Sequence, residues 1–415
     1  MTAPPEGLRR SDAVFSAPSE ARLPGPLDGL LVVGLEQAVA APLATRHLAD
    51  LGARVVKVEN PRGGDFARDY DQAMNGLGAH FVWLNRGKES LALDVKKPAG
   101  AEVLARLIER ADVVIQNLAP GAAARLGVAA GQVVQRHPRA VAVDISGYGE
   151  GGPLAAKRAY DLLVQSETGS CSVTGFPGQP AKPGIPLADV GAGMYAYSSV
   201  LAALLARTRT GQGAAISVSL FDAVAEWMGY PMYYTLGTGI EQQPNGMSSP
   251  SVAPYGAYRT ADEQVLVVGT TNDREWQRLA VDVLGRPDLA ANPSLAGNAD
   301  RVRERAHVDA ALGEWAAGQT LDKAQARLDE AGIGNARLNS VSDLIAHPQL
   351  AARDRWREID SPVGPLRALL PPPVSPQWSV RMGPVPALGE HTDDVLAYLG
   401  YDPAQVGALR EAGVV

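Results

Sequence analysis

The sequence predicts an α/β fold, with a doubly wound large domain and a smaller α/β domain, on three observations. Short apolar runs alternate with helical stretches from residue 30 to residue 219, the pattern of a parallel sheet covered by helices on both faces. The first strand-to-helix turn, GLEQAVAAP, lacks the glycine pair of a dinucleotide fingerprint, so the large domain is Rossmann-like without that binding signature. From Gly237 to Tyr255 the chain becomes rich in glycine, serine and proline, which marks a passage to a second unit.

Taken in order, Leu30 to Leu35 is a continuous apolar run, Pro42 lies in a helix that reaches Leu51, and Arg54 to Glu59 alternates as a strand ending in NPRGGD. This is one βαβ unit with a right-handed crossover. Ser90 to Val95 is the next strand, Ala99 to Arg110 a helix, and Asp112 to Gln116 a buried strand that ends at Asn117. A short helix carries Arg125, Ala140 to Ser146 is a further strand, and the loop GYGEGGP follows. The stretch IPLADVGAGMYAYSSVLAALLAR, Ile185 to Arg207, reads as a short apolar strand broken at Asp189, Gly191 and Gly193, then a helix closing on Arg207 and Arg209. Asn117, Tyr148 and Asp189 are thereby expected at the carboxyl ends of strands, where open α/β sheets take ligands. An Asp before a helix also serves as a plain N-cap.

Gly191, Gly193 and Ala196 form a GxGxxA arrangement, but Arg207 and Arg209 stand in the region where a ribose-binding acid is needed, which argues against a dinucleotide oxidoreductase. Ile216 to Ser219 is a strand, and a helix from Phe221 carries Trp227 into YPMYY. Past the linker, Arg259 to Gly269 suggests a hairpin, with helices around Trp276, from Val302 to Ala317 and from Leu321 to Ala331. IGNARLNSVSDLIAHPQL returns to a strand and a helix, Pro362 to Pro386 is expected to be extended, and Asp393 to Leu399 forms the last helix.

The 415 residues are 46% apolar and 20% charged, enough for two or three globular domains. A net charge of -7 argues against nucleic-acid or anionic-membrane partners, and no uninterrupted apolar run approaches the roughly 20 residues of a membrane span. Cys171 is the single cysteine and the six histidines are scattered, so no disulfide within the chain and no metal cluster is expected, and a reducing, cytoplasmic setting is compatible. The leader, residues 1–26, lacks an apolar h-region and carries Glu6, Asp12 and Glu20, and it reads as a disordered tail.

Beyond these patterns, ordered blocks carry a resemblance. They are LVVGLEQAVAAPLATRHLADLGARVVKVENPRGGD, NRGKESLALDVKKPAG, ADVVIQNLAPGAAARLGV, ISGYGEGGP, AYDLLVQSETG, PLADVGAGM, RTGQGAAISVSLFDAV and ALGEHTDDVLAYLGY. From about Leu27 to the C-terminus the chain resembles the class III CoA-transferases, the formyl-CoA transferase and carnitine CoA-transferase family. The resemblance implies a large CoA-binding domain over 27–225, linkers and a small domain over 226–332, and a C-terminal return to the large domain over 333–415. It also implies an interlocked homodimer, an acyl-CoA and a carboxylic acid as substrates, and coenzyme A thioester as co-substrate with no tightly bound cofactor.

By the same resemblance the nucleophile is Asp189. The CoA-binding candidates are Leu93, Lys96, Asn117, Arg125 and Arg158, with Tyr160 beside the last. Asp161 and Tyr160 are candidates for a supporting acid or a positioning role. Gln37, Gly191, Tyr195, Tyr233, Tyr234, Asn245 and Ser248 are candidates for the acyl pocket. Three features depart from the pattern: Asn60 replaces an arginine, Val39 replaces the glutamine before the first-helix proline with Gln37 two residues earlier, and NGMSSPSVAPYG is poorer in glycine than the family's oxyanion loop.

A carboxylate nucleophile splits one displacement into easier ones through an aspartyl-CoA thioester, and an Asp near its reference pKa of about 3.9 is ionised at neutral pH without an external base. The branch implied handles short dicarboxylates, with succinyl-CoA as donor to itaconate, mesaconate or citramalate. The alternatives are an acyl-CoA racemase of the same fold, for which Tyr160 replaces the expected histidine before Asp161 and His137 is the remaining base, and a non-catalytic CoA-binding protein.

Overall fold

The computed structural model describes residues 23–415; most of the leader expected to be disordered, residues 1–22, lies outside the described residues. In chain order the large unit contains β1 (Leu31–Leu35), α1 (Ala40–Asp50), β2 (Arg54–Glu59), α2 (Ala79–Asn85), β3 (Lys88–Ala92), α3 (Pro98–Glu109), β4 (Val113–Gln116), α4 (Ala122–Leu126), α5 (Ala130–Arg136), β5 (Val141–Ser146) and α6 (Asp161–Glu167). A two-residue hairpin, β6 (Gly175–Phe176) and β7 (Gln179–Pro180), precedes α7 (Leu187–Thr210), β8 (Ala214–Ser219), α8 (Leu220–Trp227) and α9 (Gly229–Thr238). Six strands form one parallel sheet in the order β3-β2-β1-β4-β5-β8.

Because side chains alternate across a strand, the β-branched runs feed two cores. Val32, Val55, Val113 and Val141 pack under α1, α7 and α8. Val33, Val56, Val114 and Ala142 face α3, α5 and the C-terminal helices. Burial on both faces is why these strands read as continuous apolar runs.

The strand expected at Ile185 is absent. Pro186 stands at the N-cap position and α7 begins at Leu187, so Asp189 lies in the first helical turn and not at a strand end. The signal for one unbroken helix was the four-residue repeat of Ala188, Ala192, Ala196, Val200 and Leu204, all buried. The 24-residue helix has the length and hydropathy of a membrane span, yet it is a core helix packed between α1 and α8. Gly193 explains the closeness: a Cβ there would sit 2.6 Å from the Ala40 carbonyl oxygen on α1.

The smaller unit holds β9 (Tyr255–Arg259), β10 (Val265–Gly269), α10 (Asp273–Arg278), α11 (Pro287–Ala291), α12 (Asn298–Arg303), α13 (Arg305–Ala317), α14 (Leu321–Glu330) and β11 (Gly334–Arg337). Its antiparallel sheet runs β11-β10-β9, over a core centred on Trp276, Leu266 and Leu312. β11 therefore pairs inside this unit, whereas the sequence assigned everything after residue 332 to the C-terminal return.

After α15 (Val341–Ile345) and α16 (Pro348–Ala352), β12 (Trp356–Ile359) pairs in a hairpin with β13 (Leu366–Leu369), and β13 lies inside the stretch expected to be extended. The chain then meets the β3 edge through the His391 N–H to Ser90 carbonyl bond of 3.0 Å and the Ala92 N–H to Thr392 Oγ1 bond of 3.1 Å. It ends with α17 (Thr392–Tyr398) and α18 (Pro403–Glu411). The sequence reading missed α18, although Asp402, Pro403 and Gln405 spell a capping box with Pro at the first helical position.

Candidate active site

Gln37 follows β1 and Asn117 follows β4, two adjacent strands from which the chain winds outward in opposite directions across the sheet. Ligands of open α/β sheets sit in the crevice at such a switch point. Asn117 ties the two strand ends together. Its Oδ1 accepts from the Gln37 N–H at 2.9 Å, and its Nδ2 donates to the Gln37 carbonyl at 2.8 Å. A cavity of about 810 Å³ lies beside this clamp, with Asp189, Asp161, Tyr160 and Arg158 also in its wall; the volume suits a substantial ligand.

Asp189 is placed by a cap supplied from another helix. Pro186 offers no capping side chain, so the first N–H groups of α7 need an acceptor from elsewhere. Asp161, the first residue of α6, supplies it. Its Oδ1 accepts from the Ala188 N–H at 2.9 Å and from the Asp189 N–H at 3.4 Å, and its Oδ2 accepts from Gln165 Nε2 at 2.7 Å.

The half-buried Asp189 carboxyl is pushed up from the ordinary 3.8 to about 7, by burial first and by the neighbouring Asp161 charge second. Near neutral pH it is therefore poised between acid and carboxylate, where the sequence led to the expectation of full ionisation.

The remaining sequence candidates divide. Gln37, Asn117, Arg158 and Tyr160 line the cavity. Asn117 spends its amide on Gln37, while Arg158 and Tyr160 are exposed at the cavity. Leu93 is 1% exposed and packs in the core, so its side chain is not available to a ligand. Lys96 and Arg125 are exposed outside the lining, with the Arg125 guanidinium close to Gly121, which does line it.

Gly191 belongs to helix packing, since a Cβ there would lie 3.2 Å from the Trp227 ring. Tyr195 accepts from Trp227 Nε1 at 3.2 Å on the α7–α8 contact. Tyr233 and Tyr234 lie on α9, the latter beside Tyr230, while Asn245 and Ser248 share a turn before β9. None of these four lines the cavity. His137, the base a racemase would need, ends α5 and is also outside the lining.

Among the cavity residues that the sequence reading did not single out are Phe66, Tyr70 and His80. They come from the turn after NPRGGD and from α2. The turn is built by Asp65, whose Oδ1 accepts from the N–H groups of Ala67 and Ala38. Ala38 adopts a φ of 61°, a left-handed conformation uncommon outside glycine. Beneath it lies a buried ionic network. Lys57 Nζ contacts Asp65 Oδ2 at 2.8 Å and the Glu36 carbonyl at 3.2 Å, and Lys88 Nζ contacts Glu36 Oε1 at 2.7 Å. The Tyr70 hydroxyl is pushed up to about 12 by burial, then by the Asp65 and Asp189 charges, which places it in electrostatic reach of Asp189.

The sequence matches CoA-transferase family III over residues 27–392. An acetyl-CoA:oxalate CoA-transferase of Acetobacter aceti is 34% identical over 80% of this chain and 85% of its own length. A succinyl-CoA–D-citramalate CoA-transferase of Chloroflexus aurantiacus is 30% identical, over 96% of this chain and 100% of its own. The crystal structure of a CaiB/BaiF family protein from Brucella suis, 32% identical, superposes with a TM-score of 0.79 over 91% of this chain and 100% of that one. With the match spanning nearly the whole chain and a carboxyl group held at the sheet's switch point, the protein belongs to CoA-transferase family III and is a class III CoA-transferase, an enzyme that uses CoA thioesters as co-substrates.

Proposed function

We propose that the enzyme moves CoA from a short acyl-CoA to a short dicarboxylate through a thioester on Asp189, with succinyl-CoA as donor and itaconate, mesaconate or citramalate as acceptor. The observation that carries this is the Asp189 carboxyl, fixed by Asp161 in the first turn of α7 and facing a ligand-sized cavity. The two relatives described above are named for oxalate and D-citramalate; both acids are dicarboxylates, which supports the acceptor class.

In this reading the Asp189 carboxylate attacks the acyl-CoA carbonyl, the C–S bond breaks, and a mixed anhydride and CoA thiolate result. The thiolate attacks the aspartyl carbonyl and expels the donor carboxylate, leaving aspartyl-CoA. The acceptor carboxylate repeats both steps in reverse and restores Asp189, with no net proton consumed. Arg158 stands at the cavity mouth to meet the phosphates of CoA. Single-cysteine usage supports a cytoplasmic enzyme. Tyr233 and Leu236, 77% and 80% exposed on α9, support a homodimer that covers them.

Incubation with succinyl-CoA, followed by intact mass measurement and hydroxylamine or borohydride trapping, tests this. A covalent CoA adduct mapped to Asp189 and lost in Asp189→Ala is expected. No adduct with any short acyl-CoA, together with Asp161-dependent exchange of the α-proton into deuterated solvent, would replace this reading by a racemase.

A further inference from the structure

His80 is the second residue of α2 and lines the same cavity as Asp189. Its ring is held by aromatic neighbours. The Tyr70 ring meets it edge-on at 5.6 Å and 89°, and Trp83 lies at 6.4 Å on the other contact. Its Nδ1 is nevertheless buried and has no hydrogen-bond partner. A buried unpaired nitrogen costs stability, so a group in this state calls for a partner that arrives with the ligand.

Arg158 and Tyr160 stand exposed in the cavity wall, while several other polar side chains there are already committed. Asn117 holds Gln37, Gln116 Nε2 donates to Asp144 at 2.8 Å, and Lys157 pairs with Glu167. Asp161, whose carboxylate caps α7, and Asp189 in the first turn of that helix stand in the same cavity wall. A second carboxylate entering beside them is repelled unless a donor receives it. His80 is such a donor, and Asp71, which accepts from the Ala79 N–H at 3.1 Å at the foot of the same helix, is within electrostatic reach of it.

We propose that His80 donates from Nδ1 to the remote carboxylate of a short dicarboxylic substrate, and so selects dicarboxylates over monocarboxylates of equal chain length. This rests on the function proposed above, because it assigns to that cavity the end of the substrate that does not react. Tyr70 fixes the imidazole and carries no selectivity of its own.

The test compares glutarate with pentanoate as acceptors for succinyl-CoA, in the native enzyme, in His80→Phe and in His80→Gln, with the Asp189 adduct measured by intact mass in each. A hydrogen bond to a charged group predicts that His80→Phe lowers the ratio of kcat/KM for glutarate to that for pentanoate by about 10- to 100-fold and still forms the adduct, more slowly from succinyl-CoA because its own remote carboxylate loses the same donor. His80→Gln, which keeps a donor, recovers part of the loss. An unchanged glutarate-to-pentanoate ratio in His80→Phe with the adduct intact overturns the role of His80 alone. Equal loss of both acids in both variants assigns His80 to packing and overturns it too. Absence of the adduct in the native enzyme overturns the function on which the inference rests.

Discussion

Asp189 and Asp161 form a pair in which one carboxylate builds the other's site. Asp161 caps α7 and, by its charge, helps to hold the Asp189 proton. In the proposed mechanism the nucleophilic form is the carboxylate, and burial is the larger cause of the shift to about 7. Adduct formation should therefore fall about tenfold per pH unit below 7 and level off above it. Asp161→Asn keeps an oxygen for the Ala188 and Asp189 N–H groups while removing the like charge. Its pH profile should shift to lower pH, with the burial contribution remaining; a midpoint that does not move would show that Asp161 acts only as a cap. The PLAD block singled out Asp189 as a candidate, but its raised pKa was not legible there, because desolvation depends on neighbours that sequence order does not display.

Among the elements, the turn from Glu36 to Pro42 is the least independent. Lys57 on β2, Asp65 after β2, and Lys88 on β3 all converge on it. Burial pulls Lys57 down, yet Glu36 and Asp65 leave it above its ordinary value. Burial pushes Glu36 up, and Lys88 with Lys57 bring it below its own. Burial brings Lys88 down to about 8 against the pull of Glu36. A buried pair that loses one member leaves an uncompensated charge, so Lys57→Met should cost about 3–5 kcal/mol. It should also release the Gln37–Ala38 turn that faces the cavity. Denaturant unfolding measures the first effect, and a loss of less than about 1 kcal/mol would mean that the network relaxes around the gap. Sequence order does not tie Lys57 and Lys88 to Glu36; only the pairing of β1, β2 and β3 brings their ends to it.

Across the whole molecule, the last residues complete the core of the large unit. Val406, Leu409 and Val414 pack with Leu104, Leu107 and Leu396, the Asp94 N–H donates to the Val414 carbonyl at 2.7 Å, and Lys97 Nζ donates to the Gly413 carbonyl at 2.9 Å. Burying three aliphatic side chains contributes roughly 1.5–3 kcal/mol each, a sum comparable with the net stability of a typical domain. A chain ending at Gly400 should lose its cooperative thermal transition or melt at least about 10 °C lower. An unchanged melting curve by circular dichroism would show that α18 is peripheral.

The sequence by itself determined the parallel sheet, its strand order of appearance and the identity of the nucleophile candidate. Apolar runs of Val and Ile admit few other arrangements, and the ordered blocks fix the family. It did not determine that α7 is continuous, since IPLA reads as a strand until α1 and α8 are seen to close on Gly193 and Gly191. Nor did it reveal Tyr70 and His80 as neighbours of Asp189, because they lie more than a hundred residues away and meet it only across the switch point. Distances along the chain set local periodicity, whereas the charge and burial at the cavity are properties of contacts that only the folded sheet creates.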